Sequence, residues 1–431
     1  MDQNQLDLLD SSQSVFEGDF EEQAKKLLSI VRMTKSEVED LTKLFNEIDH
    51  VFQTVWPNCT IMPFGSVVSG LGIQSSDVDI YAEVPKSLHD TEKSCVKKAR
   101  NILRWKENFK ELTTILTAKV PILKFFHLPT QRHCDINFKS PAGVCNSHLI
   151  GLLMQMDARV LPLTVLIKYW SKVHQLTGTH LMPSYCLIMM VIFYLQQNGI
   201  LPSVKSLQEN IEPVMVEGWN TAFNRNYEHV TTNDDGMYKL LGEFFVYYSN
   251  FDYNENIVSP FTGYVIDKTA FKENLADSLN NTFHLYYQHL RYKKKQNIKL
   301  ETAMCVQDPF DHSRNCAVAV FPRLGHRILA HFKFAQDLYL NRDCSEFLEH
   351  LLKTKVPYVE EKVTPPVAPC RLQIPSVQSD QRDPIIANQN SHTFSNKIKK
   401  RSTNYYNPKR DRFRRRHHPA THTTSNADHK R

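Results

Sequence analysis

Apolar side chains recur at helical spacing through residues 15–55, with Leu27, Leu28, Val31, Val38, Leu41, Leu44, Phe45 and Ile48 on the repeating positions. Pro57 and Asn58 break that pattern, and residues 59–64 are predicted to form a short strand. Val78-Asp-Ile-Tyr81 predicts a second strand, and residues 92–108 a helix. Residues 119–126 and 133–138 predict two strands joined by the turn Leu128-Pro-Thr-Gln131. This is an α/β unit ending near residue 140. Helical apolar faces then run through residues 147–197, and helices are expected to dominate to about residue 350. From Pro357 the chain turns rich in Pro, Ser and Asn, with Val363-Thr-Pro-Pro-Val367 predicting extended linker. There is no internal repeat.

Composition changes this picture in three places. The chain has 431 residues, 24 Phe and 17 Tyr, enough for a hydrophobic core in more than one domain, which excludes global disorder. The net charge of +6 is unevenly spread: residues 397–431 hold 12 Lys and Arg against 2 Asp, so the rest of the chain carries −4. The body is mildly acidic and the tail strongly basic. Nine cysteines at scattered spacing, without a CxxC pair, predict free thiols in a reducing compartment rather than disulfides or zinc. The acidic start of the chain lacks the apolar core of a signal peptide. The longest apolar run, residues 186–195, is shorter than the roughly 20 residues of a membrane span. An intracellular protein without a membrane partner is expected.

Three of only 13 glycines fall in Pro63-Phe-Gly-Ser-Val-Val-Ser-Gly-Leu-Gly72, and Asp77-Val-Asp79 follows. Gly65 lets a backbone approach phosphate closely, and Ser66 adds a hydroxyl donor. Residues i and i+2 of a strand share a face, so Asp77 and Asp79 converge on one point. Hard divalent cations take such oxygen ligands, and Mg2+ takes one or two carboxylates together with substrate phosphates. An Asp-x-Asp pair alone is more often a solvated strand end; the Gly-Ser upstream and a third carboxylate shift that balance. Asp135, in His133-Cys-Asp-Ile-Asn-Phe138, alternates with Cys134, Ile136 and Phe138 and would face away from the core.

With this triad in hand, the chain resembles the DNA polymerase β-type nucleotidyltransferases, specifically the terminal uridylyltransferase and noncanonical poly(A) polymerase family. Asn146-Ser147, Asp157-Ala-Arg159 and Pro162-Leu-Thr-Val-Leu-Ile-Lys-Tyr-Trp-Ser-Lys172 extend the resemblance, as do Pro183-Ser-Tyr185, Phe251-Asp-Tyr253 and Val306-Gln-Asp-Pro-Phe310 with Asn315. It runs from about residue 40 to 345. It implies an α+β, two-lobed nucleotidyltransferase: an α/β catalytic lobe with a mixed sheet, a mostly helical central (PAP-associated) lobe, and a disordered basic C-terminal tail. The expected boundaries are 15–56 for an N-terminal helical region, 57–145 for the catalytic domain, 146–350 for the central domain, and 351–431 for linker and tail.

The resemblance also implies roles. Asp77, Asp79 and Asp135 would be catalytic and would hold Mg2+ or Mn2+. Asp135 would also assist the RNA 3′-hydroxyl. Gly65, Ser66 and Ser184 would contact phosphates, and Asn146 a ribose hydroxyl. Ser147 stands in place of the family's usual Thr, keeping the hydroxyl. Lys168 and Lys172, one helical turn apart, would meet the triphosphate, and Tyr185 would stack on the base. Asp308, Asp311 and Arg314 would lie near the base edge.

The family's uridylyltransferases typically place a His where this chain has Arg314. A guanidinium donates to a uracil carbonyl and cannot accept from an adenine amino group, which favours UTP over ATP. His312 is either a substitute for that His or a solvated loop residue. The expected activity is template-independent addition of UMP to RNA 3′ ends by two metals. The alternatives are a poly(A) polymerase using ATP, or an inactive RNA-binding scaffold. The expected partners are an RNA 3′ end and UTP or ATP. The catalytic unit is expected to be monomeric, and RNA choice to rest on the tail, on surface grooves or on a targeting protein. Lys397-Ile-Lys-Lys-Arg401 and Lys409-Arg-Asp-Arg-Phe-Arg-Arg-Arg-His-His418 predict salt-dependent RNA binding or nuclear import.

Overall fold

The computed structural model describes residues 13–88, 90–272 and 281–356. The linker beyond residue 356 and the basic tail expected at 397–431 lie outside the described residues.

After a single 3-10 turn (Gln13–Phe16), two helices stand where one long apolar pattern was expected. Helix α1 (Phe20–Val31) is capped by Asp19, whose side chain accepts from Glu22 N–H. Helix α2 (Lys35–Gln53) starts on a capping box between Thr34 and Glu37. That box at the 32–34 break divides the 15–56 stretch between two cores. Phe20, Ala24, Leu27 and Val31 pack with the later helices, whereas Leu41, Leu44, Ile48 and Phe52 pack under the sheet.

The sheet comprises β1 (Thr60–Phe64), β2 (Val78–Glu83), β3 (Phe109–Ile115), β4 (Ile122–His127) and β5 (Arg132–Asn137), in the order β1-β2-β5-β4-β3. Only the β2–β5 pair is parallel, so the sheet is mixed. Helix α3 (Glu92–Leu103) and α2 cover one face, closing a core over Val78, Ile80, Leu123, Phe125, Cys134 and Ile136. Strand β3 has no counterpart among the strands expected from the pattern. A bulge between Lys110 and Thr113, with Glu111 at φ 54°, breaks the two-residue period that would have revealed it.

Helices α4 (Ala142–Leu153), α5 (Val160–Val173), α6 (Ser184–Gln197), α7 (Met237–Ser249), α8 (Pro322–Asn341) and α9 (Cys344–Lys353) build the second lobe. Helices α5 and α6 are buried nearly all round, which is why their sequences lack a polar face. Trp170 stacks on Phe332, with ring centroids 5.8 Å apart, and ties α5 to α8. Eight cysteines in the described residues are free, six of them buried. Among the described residues no helix is long and apolar enough to cross a membrane.

Candidate active site

Strand β1 ends at Phe64 and the chain turns at Gly65 with φ +80°, a conformation that favours glycine. A Cβ there would meet Asp79 Oδ2 at 2.3 Å. The Gly65 N–H donates to Ser147 Oγ (2.7 Å), and the same hydroxyl donates to Gly143 O (2.7 Å). The Ser147 hydroxyl, expected at the nucleotide, is thus engaged in fixing the loop to α4.

Asp79 and Asp135 are direct partners across the parallel β2–β5 pair. Their strand neighbours Val78, Ile80, Cys134 and Ile136 are fully buried in the sheet core, so the period-2 alternation sends both carboxylates to the opposite face. Asp77 precedes β2 and is exposed. Burial, then the charges of Asp135 and Asp77, push the Asp79 carboxyl up to about 7. Burial also raises Asp135, opposed by Lys124. Lys124 is the register partner of Asp135 on β4, and its Nζ lies 2.9 and 2.7 Å from the two carboxylate oxygens.

These carboxylates fit a divalent cation in donor type: Asp79 and Asp135 are hard oxygen donors set directly opposite each other across the β2–β5 pair. Among the described residues, however, no three acidic, His or Cys side chains already stand gathered around one point. Asp135 is instead turned onto the Lys124 ammonium.

A cleft of about 370 Å³ opens beside Asp77 and Asp79. The sheet side supplies Gly65 and Ser66; the helical side supplies Asn146, Ser147, Lys168, Lys172, Ser184, Tyr185 and Arg314. Asp135, Asp308 and Asp311 do not line it. Ser184 opens α6, whose first turn has no side-chain cap and so leaves N–H groups for an anion. Lys168 differs from Lys172 despite sharing its face. It is 4% exposed, donates to Leu71 O (2.6 Å) and Ser76 Oγ (3.3 Å), and burial pulls its pKa down to about 7. Its ammonium holds the 66–76 loop against α5.

At the other end of the cleft, the Tyr185 hydroxyl donates to Asp308 Oδ2 (3.2 Å), and Arg314 Nη1 lies 3.3 Å from the same oxygen. The guanidinium carbon sits 5.5 Å from the centre of the Tyr185 ring. Asp308 is 1% exposed and also accepts from the N–H groups of Phe310 and Asp311. It anchors Arg314 from below rather than meeting the cleft. Asp311 accepts from Ser313 and pairs with Lys295 at 3.8 Å, away from the cleft. His312 is neither a base reader nor a solvated residue. It is 6% exposed, with its ring 4.1 Å from Phe261 and 5.1 Å from Phe283, and burial pushes its pKa down to about 3.

Lys124 is the site residue that the motifs do not mark. The turn at 128–131 nonetheless carried the signal, because pairing His127 with Arg132 puts Lys124 opposite Asp135.

Two family models match the chain. The central palm domain of mitochondrial-like poly(A) RNA polymerase covers residues 20–155, and the Cid1 family poly A polymerase model covers residues 238–314. The zebrafish (Danio rerio) speckle targeted PIP5K1A-regulated poly(A) polymerase is 26% identical over 69% of this chain and 42% of its own length. The fission yeast (Schizosaccharomyces pombe) poly(A) RNA polymerase cid11 is 29% identical over 59% of this chain and 48% of its own. The chain therefore spans under half the length of these curated relatives. In fold it is similar to a crystal structure of the Cid1 poly(U) polymerase with MgGTP bound, at TM-score 0.63 and 19% identity, over 79% of this chain and 99% of that one.

Proposed function

We propose, for a chain that belongs to the noncanonical poly(A) polymerase and terminal uridylyltransferase family, that its cleft transfers a ribonucleotide from a nucleoside triphosphate, UTP by preference, to an RNA 3′ end. The register of Asp79 with Asp135, beside a glycine turn and a cleft of hydroxyls and cations, carries this reading. The 3′-hydroxyl oxygen forms a bond to the α-phosphorus as the α–β bridging bond breaks; the hydroxyl proton passes to solvent and the bridging oxygen departs with pyrophosphate. Asp77, Asp79 and Asp135 would hold Mg2+ or Mn2+, which when bound would lower the pKa of the attacking hydroxyl and offset charge on the leaving oxygen.

This chain's own residues do the rest. Asp135 orients the 3′-hydroxyl. Gly65, held by Ser147, keeps the turn close enough for Ser66 to donate to phosphate. Lys172 and the first turn of α6 at Ser184 complement the triphosphate, while Lys168 keeps the loop in place. Asn146 faces the ribose and Tyr185 offers its ring to the base. Arg314, anchored by Asp308, presents donors only, which supports a carbonyl-bearing base edge and therefore uracil over adenine. ATP is the alternative, because relatives at 26–29% identity are named poly(A) polymerases.

The test is extension of a labelled single-stranded RNA by the purified protein with Mg2+ or Mn2+ and each triphosphate separately. Extension with UTP above all others supports the proposal. Extension with ATP alone overturns the base assignment, and no extension with any triphosphate overturns the activity.

A further inference from the structure

Among the described residues, α2 and α3 pack on one face of the sheet, and on β3, β4 and β5 only α3 packs closely. Leu123 and Phe125 of β4 and Cys134 and Ile136 of β5 lie in the core these helices close, while the alternate residues Lys124, Phe126, His133 and Asp135 take the other face. Phe126 belongs to neither hydrophobic core, although it is a phenylalanine in a central strand. Its ring packs instead on His133, with centroids 5.0 Å apart at 59°, and His133 is exposed. The register places these groups in rows. Asp135, Lys124 and Thr113 form one row across β5, β4 and β3. His133, Phe126 and Lys110 form the next, one rung or about 7 Å along the strands. Lys110 is exposed and makes no ion pair among the described residues.

We propose that this uncovered face of β5, β4 and β3 seats the 3′-terminal segment of single-stranded RNA, with a base stacked on the Phe126–His133 pair and Lys110 and Lys124 on the flanking phosphates. Aromatic rings between cations are how proteins hold single strands without reading sequence. An apolar ring left out of both cores gains by covering with a base, and the ammonium groups match a polyanion. The platform begins one rung from Asp135, so a strand lying on it leads its terminal hydroxyl toward the carboxylates. This rests on the proposed activity for the identity of the strand, but the surface is separate from the triphosphate cleft, which neither Phe126 nor His133 lines.

The test uses the full chain and a short oligoribonucleotide carrying 4-thiouridine next to its 3′ end. Ultraviolet crosslinking followed by peptide mapping is expected to mark the peptide holding Phe126 and His133. Crosslinks confined to the tail or to the outer face of α3 overturn the proposal. In extension assays, Phe126→Ala and His133→Ala should each raise the oligonucleotide KM about tenfold while the triphosphate KM stays unchanged. Phe126→Tyr should behave as wild type. His133 is exposed, so its variant stays informative even where Phe126→Ala folds poorly. An unchanged oligonucleotide KM in His133→Ala overturns the stacking assignment. Wild-type protein that crosslinks at this face yet never extends RNA leaves the platform standing and removes the polymerase activity. Wild-type protein that extends RNA while crosslinking elsewhere does the reverse.

Discussion

Gly65 and Asp79 occupy each other's only space: a Cβ on Gly65 would lie 2.3 Å from Asp79 Oδ2, at a backbone φ of +80°. The obstructing atom is the tip of a side chain, so Gly65→Ala would be relieved by rotating the Asp79 carboxylate away. The expected stability cost is about 1 to 2 kcal/mol, from the left-handed backbone, while displacement of a positioning carboxylate costs about 100-fold in turnover. Thermal melting and single-turnover extension on the same preparation check this. A large loss of stability with full activity would contradict the geometry.

The Ser147 hydroxyl both accepts from Gly65 N–H and donates to Gly143 O in a buried position. Ser147→Ala orphans both groups and should cost about 1 to 3 kcal/mol, with a higher triphosphate KM as the loop loosens. Ser147→Thr keeps the hydroxyl and should restore both. Denaturant melts and triphosphate titrations on the two variants distinguish a hydroxyl that holds the loop from one that touches substrate.

Among the described residues the Asp135 carboxylate bonds Lys124 and no backbone group. Asp135→Ala should therefore abolish extension and leave melting in chelator nearly unchanged, since Lys124 is part-exposed and rehydrates. If Asp135→Ala retains full activity, the metal-site assignment is wrong.

Arg314 reaches the cleft while its charge is held by Asp308 and lies over Tyr185. Arg314→Ala should weaken selection of UTP over ATP by removing the donors that face the base edge. Asp308→Asn should weaken selection by releasing the guanidinium. Competition between UTP and ATP for one RNA primer measures both. Equal preferences across the three proteins would place base choice elsewhere.

His331 lies between α5 and α8 beside His174 and Arg327, and its Nδ1–H donates to Arg327 O (2.8 Å). Burial, partly opposed by that bond, pushes its pKa down to about 4 from 6.5. Below pH 6.5 the unfolded chain takes up a proton that the native ring refuses until about pH 4. Stability is thus full above 6.5 and falls as the pH drops through that window, by at most about 1.4 kcal/mol per unit. His331→Gln should flatten the melting profile between pH 6.5 and 5 relative to wild type. An unchanged slope would show that His331 protonates freely in the native state.

Much of the molecule is legible in its sequence. Glycine at 65 followed by Asp77 and Asp79 marks a turn into a strand, because backbone conformation and two-residue alternation are local properties. The near-continuous apolar sequence of α6 equally announces a helix buried on all sides. Local pattern fails where a position is defined by a partner distant in sequence. Strand β3 was hidden because its bulge erases the alternation. The 15–56 stretch reads as one amphipathic unit, yet its halves serve different cores, since periodicity shows that a face is buried and not what buries it. Lys168 and Lys172 share a helical face and both line the cleft, yet only Lys168 is buried, because the 66–76 loop covers it.

The sequence by itself determined which residue types were present for phosphate and cation chemistry, and the order of elements that carry them. Tertiary structure decided how those groups are engaged: Asp135 on Lys124, Ser147 on Gly65, Asp308 beneath Arg314, and His312 sealed among aromatic rings. The physical reason is that hydrogen bonds and charges are satisfied by whatever lies within about 3 Å in space. Strand register and helix packing, which no local pattern encodes, bring those partners together.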